Sequence, residues 1–516
     1  MKKEYLVSAN EMKQLDDNTI KKTGIPSLVL MERAALEVAR CTMAYLKEMV
    51  SGKILIVAGN GNNAADGVCA GRILKEYGYD VDICLLKSRH DYTGELQLQN
   101  QIARTYNIPF LSEEEVDFKH YRVVIDSIFG IGLNRDVDGP AKDMILRINE
   151  SDCYVISVDI PSGINASTGE VCATAVRADE TVTFGFYKCG QMLYPGREYG
   201  GKITKAYIGI NETSFYDMVP EMFIYMAEDN EQLPLKRSVT GNKGTFGKVL
   251  VIAGRASTAG AALLSAKSAL RSGCGMVAVM TESDNKEVFL ANLPEAMVEI
   301  YSSGETQADL KEKLDKWLAW ADVVVIGCGL GKDDIAYRLL ERSIAGFDGP
   351  IVADADALSL FALHTELKEE LYNRSTNENK GQVIFTPHPG ELATLAHCSI
   401  SDVKRERFFV TQKVCEEYGV TLVAKDADTL CISKGEKIYL NTSGNDGMST
   451  AGSGDVLAGL IASLVAQGIK AGMQVYDAVC FAVYLHGLAG DYQAKRNGKR
   501  FLVASDIIEA YKYILK

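Results

Sequence analysis

Short apolar runs recur along the chain, and each ends in a polar, glycine-containing loop. KILIVAG (53–59), VDICLL (81–86), YRVVID (121–126) and YVISVDIP (154–161) form a first set. Their hydrophobicity is continuous rather than alternating, which suits strands covered on both faces, as in a parallel sheet. Helical patterns lie between them, as from Ala65 to Tyr77. The pattern breaks near residue 212, where mixed charge, two prolines and several glycines read as a connector. It then restarts with GKVLVIAG (247–254), the helical ALLSAKSALRSG (262–273), and runs at 276–280, 322–331, 350–358 and 382–391. The expectation is an α/β chain with domains at 1–215 and 241–516, joined by a linker at 216–240.

Length and composition agree with that division. The 516 residues are 47 % hydrophobic and 24 % charged, enough for two or more domains with their own cores. A net charge of −13 with no basic run argues against nucleic acid as a partner. The uncharged stretch Val456 to Ile469 is too short and glycine-rich to span a bilayer, and no long apolar segment follows Lys2 and Lys3. A cytoplasmic protein without membrane contact is expected. The 12 cysteines include no CxxC and no Cys/His cluster, which points to buried free thiols rather than zinc or disulfides.

Candidate chemistry lies in the loops after the strands, where open α/β sheets bind ligands. The first is Gly59-Asn60-Gly61-Asn62-Asn63-Ala64-Ala65-Asp66-Gly67, which enters a helix. Glycines admit a close ligand, and a helix N-terminus attracts anions. The loop is not GxGxxG, so a standard dinucleotide fingerprint is excluded. Asp126 and Asp159 end two further strands, each before a glycine loop. Oxygens of Asn63, Asp126 and Ser162 would suit a hard cation.

The strongest signal is Gly444 to Asp455, ending Gly452-Ser453-Gly454-Asp455 before an apolar helix. Such a loop frees backbone N–H groups for phosphoryl oxygens, with Asp455 placed to take a proton from an attacking hydroxyl.

GNGNNxxDG, DxIFGxG and DIPSG, with Met31-Glu32-Arg33-Ala34 upstream, resemble the epimerase domain of the NAD(P)H-hydrate repair system. That family is Rossmann-like, an α/β/α sandwich, and interconverts the R and S forms of hydrated NADH and NADPH. The resemblance implies that Asn62, Asn63, Ala64, Ala65 and Asp66 contact this substrate, as do Asp159 and the loop of Gly130, Ile131, Gly132, Leu133, Asn134, Arg135 and Asp136. It further implies a catalytic part for Asp159, and K⁺ held by Asn63, Asp126 and Ser162. Ala64-Ala65 stands where the family has Gly-Gly, which matters only if either position needs φ > 0 or carries the ligand against its Cα.

The second half resembles ribokinase-like enzymes through its GSGD loop. It resembles their NAD(P)H-hydrate dehydratase branch through TAGAA (258–262), GCGLG (327–331), DADAL (354–358) and TPHPGE (386–391). The resemblance implies substrate contacts from Gly260, Gly331, His388 and Asp455. It implies ADP or ATP, with Mg²⁺, on Lys425, Asp426, Ala427, Asp428, Thr429 and Gly454. Asp426 and Asp446 depart from the pattern and place negative charge near the phosphates. The implied function is epimerisation of the hydrate followed by ADP-dependent dehydration of its S form, with AMP and phosphate released, and a homo-oligomer is expected. The alternative is a ribokinase-like small-molecule kinase with a degenerate, nucleotide-sensing N-terminal domain.

Overall fold

Continuous apolar runs become strands buried along their whole length, because helices cover both faces of the sheet. In the computed structural model Ile54–Ala58 and Val123–Ser127 are buried at every position. The structure describes residues 2–47, 52–86, 92–226 and 237–515. They form two compact units, Glu4–Phe223 and, with Met1–Lys3, Ile224–Lys516.

The first unit holds a seven-stranded parallel sheet. Its order is Phe110–Leu111, Val81–Leu85, Ile54–Ala58, Val123–Ser127, Tyr154–Val158, Glu180–Phe184 and Lys202–Ala206. The chain builds outward from Ile54–Ala58 in one direction, then returns to its other side with Val123–Ser127. That reversal opens a crevice at the carboxyl ends of these two strands. Helices Ser27–Leu46 and Asn62–Glu76 pack their apolar faces into the core there.

The second unit repeats the principle with a different order. Met297–Tyr301, Met276–Glu282, Lys248–Ile252, Val323–Ile326, Ile351–Ala353, Val383–Phe385 and Thr421–Ala424 run parallel, and Leu430–Ile432 and Ile438–Leu440 continue the sheet antiparallel. Its reversal falls between Lys248–Ile252 and Val323–Ile326. Helix Ser453–Lys470 is buried over most of its length, and Ser268 Oγ donates to its Val456 carbonyl at 2.6 Å. It brings the GSGD loop to the crevice.

Two differences from the sequence reading have physical causes. Met222–Met226 is a strand inside the stretch read as a connector, because one buried apolar run outweighs the prolines and charges around it. Residues 227–236 of that stretch lie outside the described residues. Glu180–Phe184, ETVTF, carries too much polarity to read as a core strand, yet it is buried throughout. Thr204 Oγ1 donates to the Glu180 carboxylate at 2.6 Å, which lets the strand carry an acid inside the unit.

Candidate active sites

In the first unit the loop helix begins at Asn62, and no side chain caps its N-terminus. Ala64 and Ala65 lie inside this helix, fully buried in the hydrophobic core. Neither is among the residues with positive φ, so the methyl groups meet no backbone strain. Their side chains face away from the ligand crevice, and of the loop Asn60, Gly61, Asn62, Asn63 and Asp66 line it. The crevice is a cavity of about 850 Å³, bounded also by Asp159 and the stretch Phe129 to Arg135. Asp136 lies beyond that lining and is exposed.

Asn63, Asp126 and Ser162 converge on one network. Ser162 Oγ donates to Asp126 Oδ1 at 2.5 Å, and the Ser162 amide donates to Oδ2 at 2.9 Å. Ser157 Oγ adds a third bond at 2.7 Å, while Asn63 Nδ2 donates to the Phe129 carbonyl at 3.1 Å. Asp126 is fully buried, and burial pushes its carboxyl up despite these bonds. Its hydrogen-bond partners among the described residues are all neutral. A singly charged cation therefore fits this donor set, with one carboxylate among neutral oxygens, better than Mg²⁺, which demands a tight octahedron.

Asp159 ends the strand Tyr154–Val158 with φ 64°, a left-handed angle that is strained for a residue with a side chain. The geometry turns its carboxylate onto Lys188, whose side chain is 0 % exposed. Lys188 Nζ pairs with Asp159 Oδ1 and donates to Thr183 Oγ1 and the Phe184 carbonyl, both at 3.0 Å. Gln191 Nε2 holds the Asp159 carbonyl at 2.7 Å. Asp16, from the helix Ala9–Asn18, and Asp66 share the cavity wall with Asp159. Burial first, then the charge of Asp159, lifts Asp16 to about 6 and Asp66 well above the usual carboxylate range. Sequence reasoning missed Asp16, Lys188 and Gln191. The run Lys188-Cys189-Gly190-Gln191 after a buried strand was the one available signal.

In the second unit Gly452 turns the chain with φ 86° into helix Ser453–Lys470. At that left-handed angle any residue with a side chain is strained, and its Cβ would also displace the end of Leu264, so glycine is favoured. No side chain caps this helix, which leaves its first N–H groups for an anion. Asp455 sits in the first turn, half-buried. Burial, then the neighbouring Asp354, raises its carboxyl to about 6, against the Cys328 thiol that donates to it and the charge of Lys425. Lys425 Nζ pairs with Asp354 Oδ1 at 2.9 Å and lies where a Cβ on Gly454 would come within 3.0 Å.

The remaining predicted residues fall around this centre. The Gly331 amide donates to Asp356 Oδ2 at 2.8 Å. Gly260 lies in the first turn of helix Ala259–Arg271, with open space beside it. His388 Nδ1 accepts from the Gly390 and Glu391 amides at 3.0 and 3.2 Å, so Nε2 carries the ring proton of the neutral side chain. His388 borders a small cavity of about 140 Å³ with Leu358 and Thr394. Asp428 points away from open solvent and is ion-paired to Arg407, while Thr429 Oγ1 donates to the Asp426 carbonyl at 3.1 Å. Ala427 is exposed. Asp446 pairs with Lys499 at 2.5 Å, so its expected repulsion of a polyphosphate is offset locally. Asp354 and Asp455, with Cys328, place ligand atoms within 4.8 Å of one another. The two carboxylates suit Mg²⁺ shared with substrate phosphates; the thiol is too soft for it.

Two doubly wound units, each with paired and unpaired carboxylates at its reversal crevice, define a two-centre α/β enzyme. Comparison with known proteins specifies which. A family model described as NAD(P)H-hydrate dehydratase matches residues 249–512, and one described as YjeF-related protein N-terminus matches 27–190. The bifunctional NAD(P)H-hydrate repair enzyme of Moorella thermoacetica is 32 % identical over 533 residues, covering 99 % of this chain and 97 % of that protein. The enzyme of that name from Coxiella burnetii is 33 % identical over 485 residues and 94 % of each chain. Among solved structures, an ADP/ATP-dependent NAD(P)H-hydrate dehydratase from Bacillus subtilis is 24 % identical with a TM-score of 0.45, covering 54 % of this chain and 92 % of that one. The chain belongs to the bifunctional NAD(P)H-hydrate repair enzymes, with an epimerase and a dehydratase domain. No helix among the described residues is long and apolar enough to cross a membrane.

Proposed function

We propose that the dehydratase centre uses ADP or ATP to remove water from the S hydrate of NADH and NADPH, and that the epimerase centre supplies S from R. The observation that carries this is Asp455 in the first turn of an uncapped, glycine-led helix. The hydrate bears a hydroxyl on the carbon next to the ring nitrogen, and hydroxide leaves poorly. Asp455 takes the proton of that hydroxyl as its oxygen attacks the terminal phosphoryl group. The free N–H groups of the helix stabilise the charge that spreads over the phosphoryl oxygens. The ring nitrogen then expels phosphate, and NAD(P)H and, from ADP, AMP remain. Asp354 would hold Mg²⁺, which would neutralise more of that charge and leave Asp455 free to act as the base.

His388 presents its Nε2 proton to the substrate rather than acting as a base. Lys425 to Thr429 and Gly454 receive the nucleotide. In the epimerase centre the loops 62–66 and 130–136 and Asp159 receive the hydrate, with K⁺ among Asn63, Asp126 and Ser162. The free cysteines agree with a reducing compartment such as the cytoplasm.

The test mixes R and S hydrate with ADP or ATP and follows the reduced-nicotinamide absorbance. Complete recovery is expected. Recovery of half would confine activity to the dehydratase, and none would refute the reading. A phosphorylated product that persists would instead indicate a kinase.

A further inference from the structure

Three aspartates meet at the cavity of the first unit, with Lys188 enclosed beside them and the exposed Lys13 and Arg135 on its lining. Asp16, Asp66 and Asp159 reach it from three elements, and enclosed Lys188 is bonded to Asp159 alone of the three. Asp16 has no bonded cation among the described residues. One carboxylate is thus held as an anion, while another faces the same space free to carry a proton. The carbinol carbon of the hydrate inverts when its C–O bond breaks and re-forms on the other face, a route distinguished from opening of the C–N bond by uptake of solvent oxygen. The departing oxygen needs a proton, and the ring nitrogen left behind becomes cationic.

Resting on the reading that this cavity binds the hydrate, we propose that Asp16 is the proton donor of epimerisation and that Asp159, fixed by Lys188, faces the cationic ring. The C–O bonding pair goes to oxygen, which takes the Asp16 proton and departs as water. The nitrogen lone pair forms a C=N bond. Water then adds to the opposite face through an oxygen pair, the C=N pair returns to nitrogen, and the surplus proton leaves to cavity water, from which Asp16 is reprotonated. Atoms and charge balance without any oxidant or second substrate.

The charged surroundings of Asp16 bear on its titration. Burial, Asp159 and Asp17 raise it to about 6, Lys188 opposes them, and Lys13, Asp66 and Arg135 complete the charged lining. The acid form is therefore depleted as pH rises through 6. Epimerisation should slow by up to about tenfold per pH unit above it.

The experiment follows the R and S forms of hydrated NADH in H₂¹⁸O with the full chain and no nucleotide. Wild type should incorporate one solvent oxygen per inversion, with a rate that falls above pH 6. Asp16→Asn should lower kcat by about 10²-fold at unchanged KM and abolish that pH limb, and Asp16→Glu should recover part of both. Inversion without ¹⁸O uptake, or wild-type kcat in Asp16→Asn, would overturn the proposal while leaving the epimerase reading intact. A wild-type protein that inverts nothing would overturn both. The ¹⁸O count and the wild-type pH limb decide the matter even if Asp16→Asn does not fold.

Discussion

The two centres solve one electrostatic problem with different parts. In each, a lysine pairs with one aspartate, Lys188 with Asp159 and Lys425 with Asp354, and a second aspartate is left near 6. In the dehydratase centre that second acid, Asp455, belongs to the motif that also builds the anion cradle. In the epimerase centre it is Asp16, from the helix Ala9–Asn18, far along the chain from the uncapped Gly61 helix start that lines the same cavity. A group that titrates near neutrality needs burial and a neighbouring like charge. Local sequence can deliver both, as at Asp455, or the fold can assemble them, as at Asp16.

The comparison breaks most sharply at Asp455. Asp455→Asn should lower nucleotide-dependent dehydration by about 10²- to 10⁴-fold, the usual worth of a general base, while R and S still interconvert. Separate assays of the two reactions check this. A variant that dehydrates at the wild-type rate would remove Asp455 from its role.

Lys425→Met should come next. It leaves Asp354 buried without its cation, which costs about 3–5 kcal/mol when one partner of such a pair is removed. It also removes the positive charge that opposes the rise of Asp455. Dehydration by wild type should fall as pH drops through about 6, because the base is then protonated. In Lys425→Met that limb should move to higher pH, as read from kcat against pH.

A smaller effect concerns stability. The Asp455 carboxyl is held at about 6 against 3.8 in a model peptide, so the folded state binds the proton more tightly than the unfolded state. This contribution is fully present below pH 3.8 and is lost as pH rises through about 6. At neutral pH the ionised side chain is therefore a burden. Asp455→Asn should stabilise the domain by about 2 kcal/mol there, seen as a higher Tm, and the gain should vanish at pH 4. The inactive variant would then be the more stable protein.

The smallest change is expected from Ala64→Gly with Ala65→Gly. Both alanines have helical angles and face the core, so glycine adds no room at the cavity. Epimerisation should stay within about twofold, while each substitution costs about 1 kcal/mol of helix stability. Faster epimerisation in this variant would show that the methyl groups do reach the ligand.

Local sequence determined the strand runs, the loops at their ends, the GSGD turn and the family resemblance, because each depends on neighbours in the chain. Apolar continuity dictates burial on both faces, and glycine at 452 favours a turn that strains any larger residue. Tertiary structure alone decided that Ala64 and Ala65 face the core and that Asp428 and Asp446 are neutralised by Arg407 and Lys499. It alone set Asp16, Asp66 and Lys188 around Asp159. These outcomes depend on charges and surfaces that meet only after the sheets form. The Coulomb energy and desolvation that shift a carboxyl are functions of distance in space, and distance along the chain carries almost no information about them.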